Sequence, residues 1–235
     1  VDVELARDQH RAYREALTEA GWIVRTVSHA NDYPDSAFVE DTVVCCAGLA
    51  VLARAGAPQR RGELAGTASA VAELGLAVAE IEAPGTLDGG DVLQVGDTVY
   101  VGRGGRTNAE GVRQLADRLA AHPGSRGRTV VEVPLGAVLH LKSAVTALPD
   151  GTVLAERDAD LLDLSVFPRI HPVDEPAGCH VVLLGGNRVL MAASALRTAT
   201  ALAGLGLDPV VVDISEFEKM EGCVTCLSVL LPASE

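Results

Sequence analysis

The sequence predicts an α/β fold in which strand–strand–helix–strand (ββαβ) repeats are arranged as a five-bladed propeller. Four apolar hairpin patterns recur with a period of roughly 45 residues, which is typical of repeat architectures. Each hairpin is followed by a helical pattern and one more short apolar strand. The remaining segments offer a helix and a strand early in the chain and a lone strand late in it. Together they would form most of a fifth repeat, as in propeller-like rings that protect their sheet edges.

The four hairpins are predicted from runs of Val, Leu and Ala on either side of turn residues. Such runs pack as strands, and Gly, Asn and Asp supply the backbone conformations that tight turns require. The hairpins cover residues 43–54, 92–102, 144–156 and 181–192, with turns at Ala47-Gly48, Gly96-Asp97, Pro149-Asp150-Gly151 and Gly185-Gly186-Asn187.

The segments between the hairpins complete the repeats. Helices are predicted over residues 60–74, 108–122, 158–162 and 194–205, and strands over residues 77–81, 129–133, 166–170 and 210–214. The fifth repeat would take an amphipathic helix at residues 2–20, a buried strand at residues 22–27 and a last strand at residues 226–231. Its first strand would precede Val1. We expect one domain over residues 1–235.

Composition and charge limit the function classes. The chain has 235 residues, of which 48% are apolar, and this is enough for a sizeable core. A formal net charge of −13 would repel phosphates and argues against nucleic-acid binding. No uninterrupted apolar run is long enough for a membrane span. Five cysteines are an odd number in a chain of this length, which favours a reduced, cytoplasmic protein.

Polar residues stand at the start of predicted strands, and they include residue types that catalyse group transfer. If the repeats are equivalent, these positions are equivalent too, and their side chains point at a common centre. A thiol, an imidazole and several carboxylates at one centre describe a catalytic site. The segments are Phe38-Val39-Glu40-Asp41, Leu87-Asp88-Gly89-Gly90-Asp91, His140-Leu141-Lys142-Ser143 and Thr225-Cys226.

Cys226 is the candidate nucleophile. Cys223 and Cys226 have the C-x-x-C spacing of redox pairs and zinc sites, but the motif opens a strand pattern and has no second pair at matching spacing. Cys45 and Cys46 fall within a strand pattern and are expected to be buried and inert. The position of Cys226 within the repeat favours nucleophilic catalysis, with a base to generate the thiolate.

His140 is the candidate acid/base because it is the histidine at a repeat-equivalent position, while the other five are expected to be structural. Asp88 is expected to accept the imidazole N–H and fix its tautomer. Glu40 and Asp41 enter a buried strand pattern, where unpaired charge is costly, so a cationic substrate is expected to neutralise them. Arg106 could hold a carboxylate through two parallel hydrogen bonds.

Taken together, these segments resemble the dimethylarginine dimethylaminohydrolase family, a branch of the pentein superfamily of five-bladed ββαβ propellers. The resemblance runs over residues 1–231 and includes two further motifs, Gly56-Ala57-Pro58-Gln59-Arg60-Arg61 and Arg106-Thr107-Asn108. It implies a catalytic set of Cys226 as nucleophile, His140 as acid/base and Asp88 as its orienting carboxylate. It also implies a set of substrate contacts: Glu40 and Asp41 for the guanidinium, Phe38 against it, Arg60 and Arg106 for the α-carboxylate, and Asp35 for the α-amino group.

The resemblance further implies hydrolysis of methylated arginines to citrulline without a metal or an organic cofactor, by a monomer or homodimer. Branches that deiminate free arginine carry an aspartate two residues after the histidine, where this chain has Lys142. Methylarginine is therefore favoured over arginine. In the family a lid loop would precede Val1, and Glu221 stands where relatives have Asp. The alternatives are an arginine deiminase or amidinotransferase, a catalytically silent propeller that binds a cationic ligand, and a zinc or thiol-redox protein.

Overall fold

The structure, a computed structural model, describes residues 1–28, 30–157 and 162–231. In chain order the helices are α1 (Val3–Glu19), α2 (Leu64–Glu73), α3 (Ala109–Ala121), α4 (Leu196–Gly204) and α5 (Ser215–Glu218). The strands are β1 (Val43–Cys46), β2 (Leu49–Leu52), β3 (Ala77–Glu80), β4 (Val92–Val95), β5 (Thr98–Arg103), β6 (Thr129–Pro134), β7 (Val145–Ala147), β8 (Val153–Glu156), β9 (Ile170–Val173), β10 (Val182–Gly185), β11 (Arg188–Ala192) and β12 (Asp208–Val212).

The described residues fall into two compact units. The first unit takes those within Val1–Thr26, Lys142–Asp160 and Leu164–Thr225, and it contains β7–β12. The second unit takes those within Val27–Leu141, Leu161–Asp163 and Cys226–Glu235, and it contains β1–β6. The expectation of a single domain over the whole chain stays a prediction.

Each of the four predicted hairpins forms, and each begins a three-stranded sheet. The two hairpin strands are antiparallel, and the second of them pairs in parallel with the strand that follows the connection. In the first sheet, Val51 of β2 lies opposite Val44 of β1 and Ala79 of β3. A parallel pair needs a long crossover, and α2, α3 and α4 supply it in three of the repeats. The ββαβ order is therefore confirmed in those repeats, and the predicted helix at residues 158–162 falls almost wholly outside the described residues.

Three predicted strands are wrong. The strand expected at residues 166–170 lies instead at Ile170–Val173, where it pairs with β8, because residues Leu164–Val166 form a 3₁₀ helix. Residues 22–27 and 226–231 form no strand in the described part of the chain, since neither segment finds a ladder partner there. Ile23 is 88% exposed, and residues Thr225–Leu227 instead form a 3₁₀ helix.

Aliphatic side chains on the faces of the sheets form the cores of the two units. In the second unit Val51, Val99 and Leu115 of α3 are fully buried in one cluster. In the first unit Val189 and Leu202 of α4 are fully buried in another. Each such side chain contributes about 1.5–3 kcal/mol when it leaves water. Within the described residues, none of the helices is both long and apolar enough to cross a bilayer.

Helix α1 is tied to the segment of the first unit that leads to residue 225. Asp2 caps its first turn by accepting from the backbone N–H groups of Glu4 and Leu5. The amide of Gln9 donates to the hydroxyl of Ser215 over 2.8 Å. The phenol of Tyr13, which is 1% exposed, donates to the backbone carbonyl of Val224 over 2.8 Å.

We expect Tyr13→Phe to lower the free energy of unfolding by about 1–2 kcal/mol, because it removes a buried hydrogen bond and keeps the packing of the ring. Urea unfolding followed by circular dichroism measures this. Tyr13→Leu, which also removes the ring, should cost more. An unchanged urea midpoint for Tyr13→Phe would contradict the proposed strength of this contact.

Candidate active site

The predicted site residues lie in short 3₁₀ turns at the starts of hairpins. Glu40 and Asp41 belong to the turn Val39–Thr42, which runs into β1, and Asp88 directly precedes the turn Gly89–Asp91, which runs into β4. His140 directly precedes the turn Leu141–Ser143. The repeat therefore gives these three segments the same local structure.

His140 and Asp88 form a buried hydrogen-bonded pair. Nε2 of His140 lies 3.0 Å from Oδ2 of Asp88, and the two residues are 5% and 0% exposed. Oδ1 of Asp88 accepts from the backbone N–H of Gly56 over 2.9 Å. A Cβ at Gly56 would meet the carbonyl oxygen of Arg106 at 2.1 Å, so this donor must be a glycine. Asp88 is thus held from one side and orients the imidazole on the other.

Asp41 is a second carboxylate beside the same imidazole. Its Oδ1 lies 3.7 Å from Nε2 of His140 and accepts from the backbone N–H of Gly90 over 3.0 Å. Its Oδ2 pairs with Nη1 of Arg60 over 2.6 Å. Burial alone would raise the pKa of Asp41, but the charges of His140 and Arg60 outweigh it and lower the pKa. Asp41 is therefore ionised at neutral pH.

These carboxylates determine the charge of His140. Burial would lower the pKa of the imidazole, but the charge of Asp41 and the hydrogen bond to Asp88 raise it to about 9. His140 is thus an imidazolium at neutral pH and can act as a proton donor. Because Nε2 is held by carboxylates, Nδ1 is the ring nitrogen left for proton transfer. A Cβ at Gly90 would lie 3.1 Å from Nδ1 and 2.6 Å from Oδ1 of Asp41, so a side chain there would crowd both groups.

Arg60 lies in a buried ion-pair network. Its guanidinium pairs with Asp41 and also with Glu63, which accepts from Nε over 3.1 Å and from Nη2 over 2.7 Å. Nη2 also lies 3.3 Å from the carbonyl oxygens of Asp35 and Phe38. Burial would lower the pKa of Arg60, but its hydrogen bonds and charge pairs with Glu63 and Asp41 raise it. The sequence analysis did not predict the pairing of Arg60 with Glu63. The spacing of three residues between them could have indicated it. The predicted contact of Arg60 with a substrate carboxylate stays a prediction.

The other predicted substrate contacts lie in the same compact unit. Phe38 and Glu40 are buried, at 6% and 8% exposure, and Asp35 is half-buried. Arg106 is half-buried as well, and its Nη1 is buried without a hydrogen-bond partner in the described structure. An unsatisfied buried donor costs about 1–3 kcal/mol, which a carboxylate placed against it would offset.

Cys226 is half-buried within the 3₁₀ turn Thr225–Leu227, and it belongs to the second compact unit together with His140 and Asp88. Three of the other thiols are less suited to nucleophilic chemistry. Burial raises the pKa of Cys45 and of Cys179 to about 12, and it also raises the pKa of Cys46. The thiolate is the reactive form, so these three thiols are inert at neutral pH.

The carboxylates and the imidazole are also close enough to hold a cation. One ligand atom from each of Asp41, Asp88 and His140 lies within 4.8 Å of the others. A proton on His140 already supplies one positive charge between the two carboxylates. The arrangement therefore suits proton transfer next to a bound positive charge.

Comparisons with known proteins place these features in a family. Residues 31–159 match the family model described as arginine deiminase. The N(G),N(G)-dimethylarginine dimethylaminohydrolase of Streptomyces coelicolor is 60% identical over 98% of this chain and 88% of that protein. The protein of the same name from Pseudomonas aeruginosa is 36% identical over 97% of this chain and 89% of its own length.

Solved structures agree with the sequence comparison. A cysteine-to-serine variant of the Pseudomonas aeruginosa enzyme complexed with citrulline superposes with a TM-score of 0.87 at 35% identity, over 96% of this chain and 88% of that one. The N-terminal domain of a cyanobacterial arginine dihydrolase superposes with a TM-score of 0.84 at 21% identity, over 96% of this chain and 86% of that domain. The second likeness concerns the fold alone.

Proposed function

Because this chain belongs to the dimethylarginine dimethylaminohydrolase family, we propose that it hydrolyses Nω-methylated arginines to citrulline and methylamine or dimethylamine. It has the pentein fold of ββαβ repeats that the sequence predicted. The observation that carries the proposal within the molecule is the buried cluster of Asp41, His140 and Asp88. The enzyme is a hydrolase of carbon–nitrogen bonds in linear amidines, and arginine deiminase or amidinotransferase activity is not favoured.

The proposed reaction begins with the substrate guanidinium against Glu40 and Asp41. Asp41 is ionised and Glu40 is buried nearby in the same turn, so a cation is favoured there. Phe38 packs against the guanidinium in this proposal. The α-carboxylate is held by Arg106 and Arg60, and the α-amino group is held by Asp35. The contact with Arg106 is supported by its Nη1, which has no hydrogen-bond partner among the described residues.

In the first chemical step the thiolate of Cys226 attacks the central carbon of the guanidinium. The C–N bond to the methylated nitrogen then breaks, and His140 gives its proton to the departing amine. This leaves a covalent S-alkylthiouronium on Cys226. In the second step His140 takes a proton from water, which attacks the same carbon. The C–S bond breaks, and citrulline and the thiol are released. Asp88 orients the imidazole in both steps, and the reaction needs no metal or organic cofactor.

The proposal extends to the surroundings of the enzyme. The small-molecule substrate is the expected partner, and nucleic acid and membranes are not expected. The net charge of −13 argues against nucleic-acid binding, because it would repel phosphates. All five cysteines are free thiols in the structure, which supports a reducing, cytoplasmic location. The protein acts as a monomer or a homodimer.

A panel of guanidines tests the function. We expect citrulline and dimethylamine from dimethylarginine, citrulline and methylamine from monomethylarginine, and at least ~10-fold lower kcat/KM with arginine. The expected preference rests on Lys142, which stands where the family resemblance implies an aspartate in branches that deiminate free arginine. Mass spectrometry quantifies the products. Ammonia release from arginine at equal kcat/KM would favour a deiminase instead, and binding without turnover would favour a silent binding protein.

A further inference from the structure

We propose that Asp91 and Thr107 are positioning residues that hold His140 and Asp88 in their productive arrangement. Neither residue has a role in the proposed reaction, and neither was assigned one from the sequence. The proposal deepens the proposed function, and it rests on that function for its kinetic readout. All four residues belong to the second compact unit.

Asp91 is fully buried at the end of the turn Gly89–Asp91. Its Oδ1 accepts from the backbone N–H of Leu141 over 2.9 Å, and its Oδ2 accepts from the hydroxyl of Thr107 over 2.5 Å. The same hydroxyl of Thr107 accepts from the backbone N–H of Asp88 over 3.2 Å. Thr107 is also fully buried.

These bonds connect the two halves of the catalytic pair. Leu141 directly follows His140, so the bond from its N–H fixes the backbone that carries the imidazole. The bond from the Asp88 N–H fixes the backbone that carries the orienting carboxylate. Asp91 and Thr107 therefore join both backbones at the point where the 3.0 Å contact between His140 and Asp88 forms.

The Asp91 carboxylate packs closely against the backbone of β5. A Cβ at Gly102 of β5 would lie 2.9 Å from Oδ1 of Asp91 and 2.9 Å from Cβ of Leu141. Only a glycine at position 102 leaves room for both Asp91 and Leu141. The bonds to Leu141 and Thr107 thus define one arrangement.

Burying an ionised carboxylate at this site costs more free energy than burying an amide would. The presence of Asp91 rather than Asn is therefore consistent with a role for its negative charge beside His140. Burial raises the pKa of Asp91 to about 6, against the opposing effect of the charge on His140. Asn would also accept from the Leu141 N–H without this cost. The charged groups that act on Asp91 are His140 and Asp88, and its own charge helps to raise the pKa of His140. After Asp41 and the hydrogen bond to Asp88, Asp91 is therefore a further contributor to the raised pKa of His140.

The test compares Asp91→Asn with Asp97→Asn, which makes the same chemical change at an exposed site in the β4–β5 turn. We expect Asp91→Asn to lower kcat ~10–100-fold at nearly unchanged KM, because a misplacement of about 1 Å can cost ~10²-fold. The high-pH limb of its kcat profile should move to lower pH. Asp97→Asn should match the wild type in both respects. A purely structural role would lower the active fraction without moving the profile, and an unmoved profile overturns the proposal.

Thr107 provides a second test that leaves the charge in place. Thr107→Val removes the hydroxyl and should lower kcat, and Thr107→Ser, which keeps it, should restore most of kcat. This pair carries the test if Asp91→Asn does not fold. Equal kcat values for Thr107→Val and Thr107→Ser would overturn the proposal.

An NMR titration separates this inference from the proposed function, because it needs no substrate. The His140 imidazole signal is assigned with a His140→Gln variant, and its pKa should be lower in Asp91→Asn than in the wild type and in Asp97→Asn. If no methylarginine is hydrolysed, the proposed function fails while this readout still applies. An unchanged imidazole pKa in Asp91→Asn overturns the positioning role.

Discussion

Cys226→Ser is expected to abolish citrulline formation, with a loss of more than ~10³-fold in kcat. A serine hydroxyl is far less ionised at neutral pH than a thiol, whose ordinary pKa is about 8.5, so the attack on the guanidinium carbon is lost. Citrulline is quantified by mass spectrometry with dimethylarginine as substrate. Circular dichroism should show an unchanged fold, because the substitution is nearly isosteric in a half-buried turn.

Cys45→Ser is the matched control. Burial raises the pKa of Cys45 to about 12, and the residue lies in β1, so its replacement should leave kcat within ~2-fold of the wild type. Acid quenching during turnover should trap a mass increase on the wild-type protein and on Cys45→Ser, and none on Cys226→Ser. Full activity in Cys226→Ser would remove Cys226 from the mechanism.

His140→Gln is expected to lower kcat by ~10²–10⁴-fold, the usual contribution of a general acid–base group. The wild type should keep its activity up to about pH 9, where His140 loses the proton that the leaving amine needs. The pH profile of His140→Gln should lack this loss of activity near pH 9. His171→Gln, at a half-buried position in β9, is the control and should keep the wild-type profile. A variant at position 140 with the wild-type pH profile would contradict the assignment.

The same ionisation has a consequence for stability with a defined sign. The pKa of His140 is raised in the folded protein from an ordinary value of 6.5 to about 9. Its contribution to the free energy of unfolding is therefore fully present below pH 6.5 and is lost as the pH rises to about 9. Urea unfolding should show a decline over this range for the wild type that is smaller for His140→Gln. Equal slopes for the two proteins would contradict the raised pKa.

The sequence predicted the parts of the fold that local patterns determine. The hairpin at β1 and β2 follows from apolar runs on either side of Ala47-Gly48, where both residues have a positive φ. The predicted strands at residues 22–27 and 226–231 were wrong. Both segments are apolar, but neither has a neighbouring strand to pair with in the described part of the chain. Strand formation depends on pairing with a neighbouring strand, which is often distant in sequence, and no local pattern identifies that neighbour.

The candidate site could likewise be predicted only in part, because some of its contacts depend on the tertiary structure. The segments that hold Asp88 and His140 could be aligned by the repeat, and the structure brings these two side chains into a hydrogen bond. The pairing of Arg60 with Asp41 and Glu63 could not be read from the chain, because Arg60 and Asp41 are 19 residues apart. Asp91 and Thr107 both lie within sequence motifs. The hydroxyl of Thr107 that links Asp91 to the backbone of Asp88 is a tertiary contact, which the motifs do not reveal.

The bond between Tyr13 and Val224 bears on the order in which the protein is assembled during synthesis. The two residues are 211 positions apart. At typical translation rates of ~5–20 residues per second, α1 leaves the ribosome about 10–40 s before its partner exists. Until then the buried face of α1, which includes Tyr13 and Leu17, lacks this partner. Cys226 follows Val224 by two residues, so the docking of Val224 onto α1 also fixes the chain directly before the candidate nucleophile.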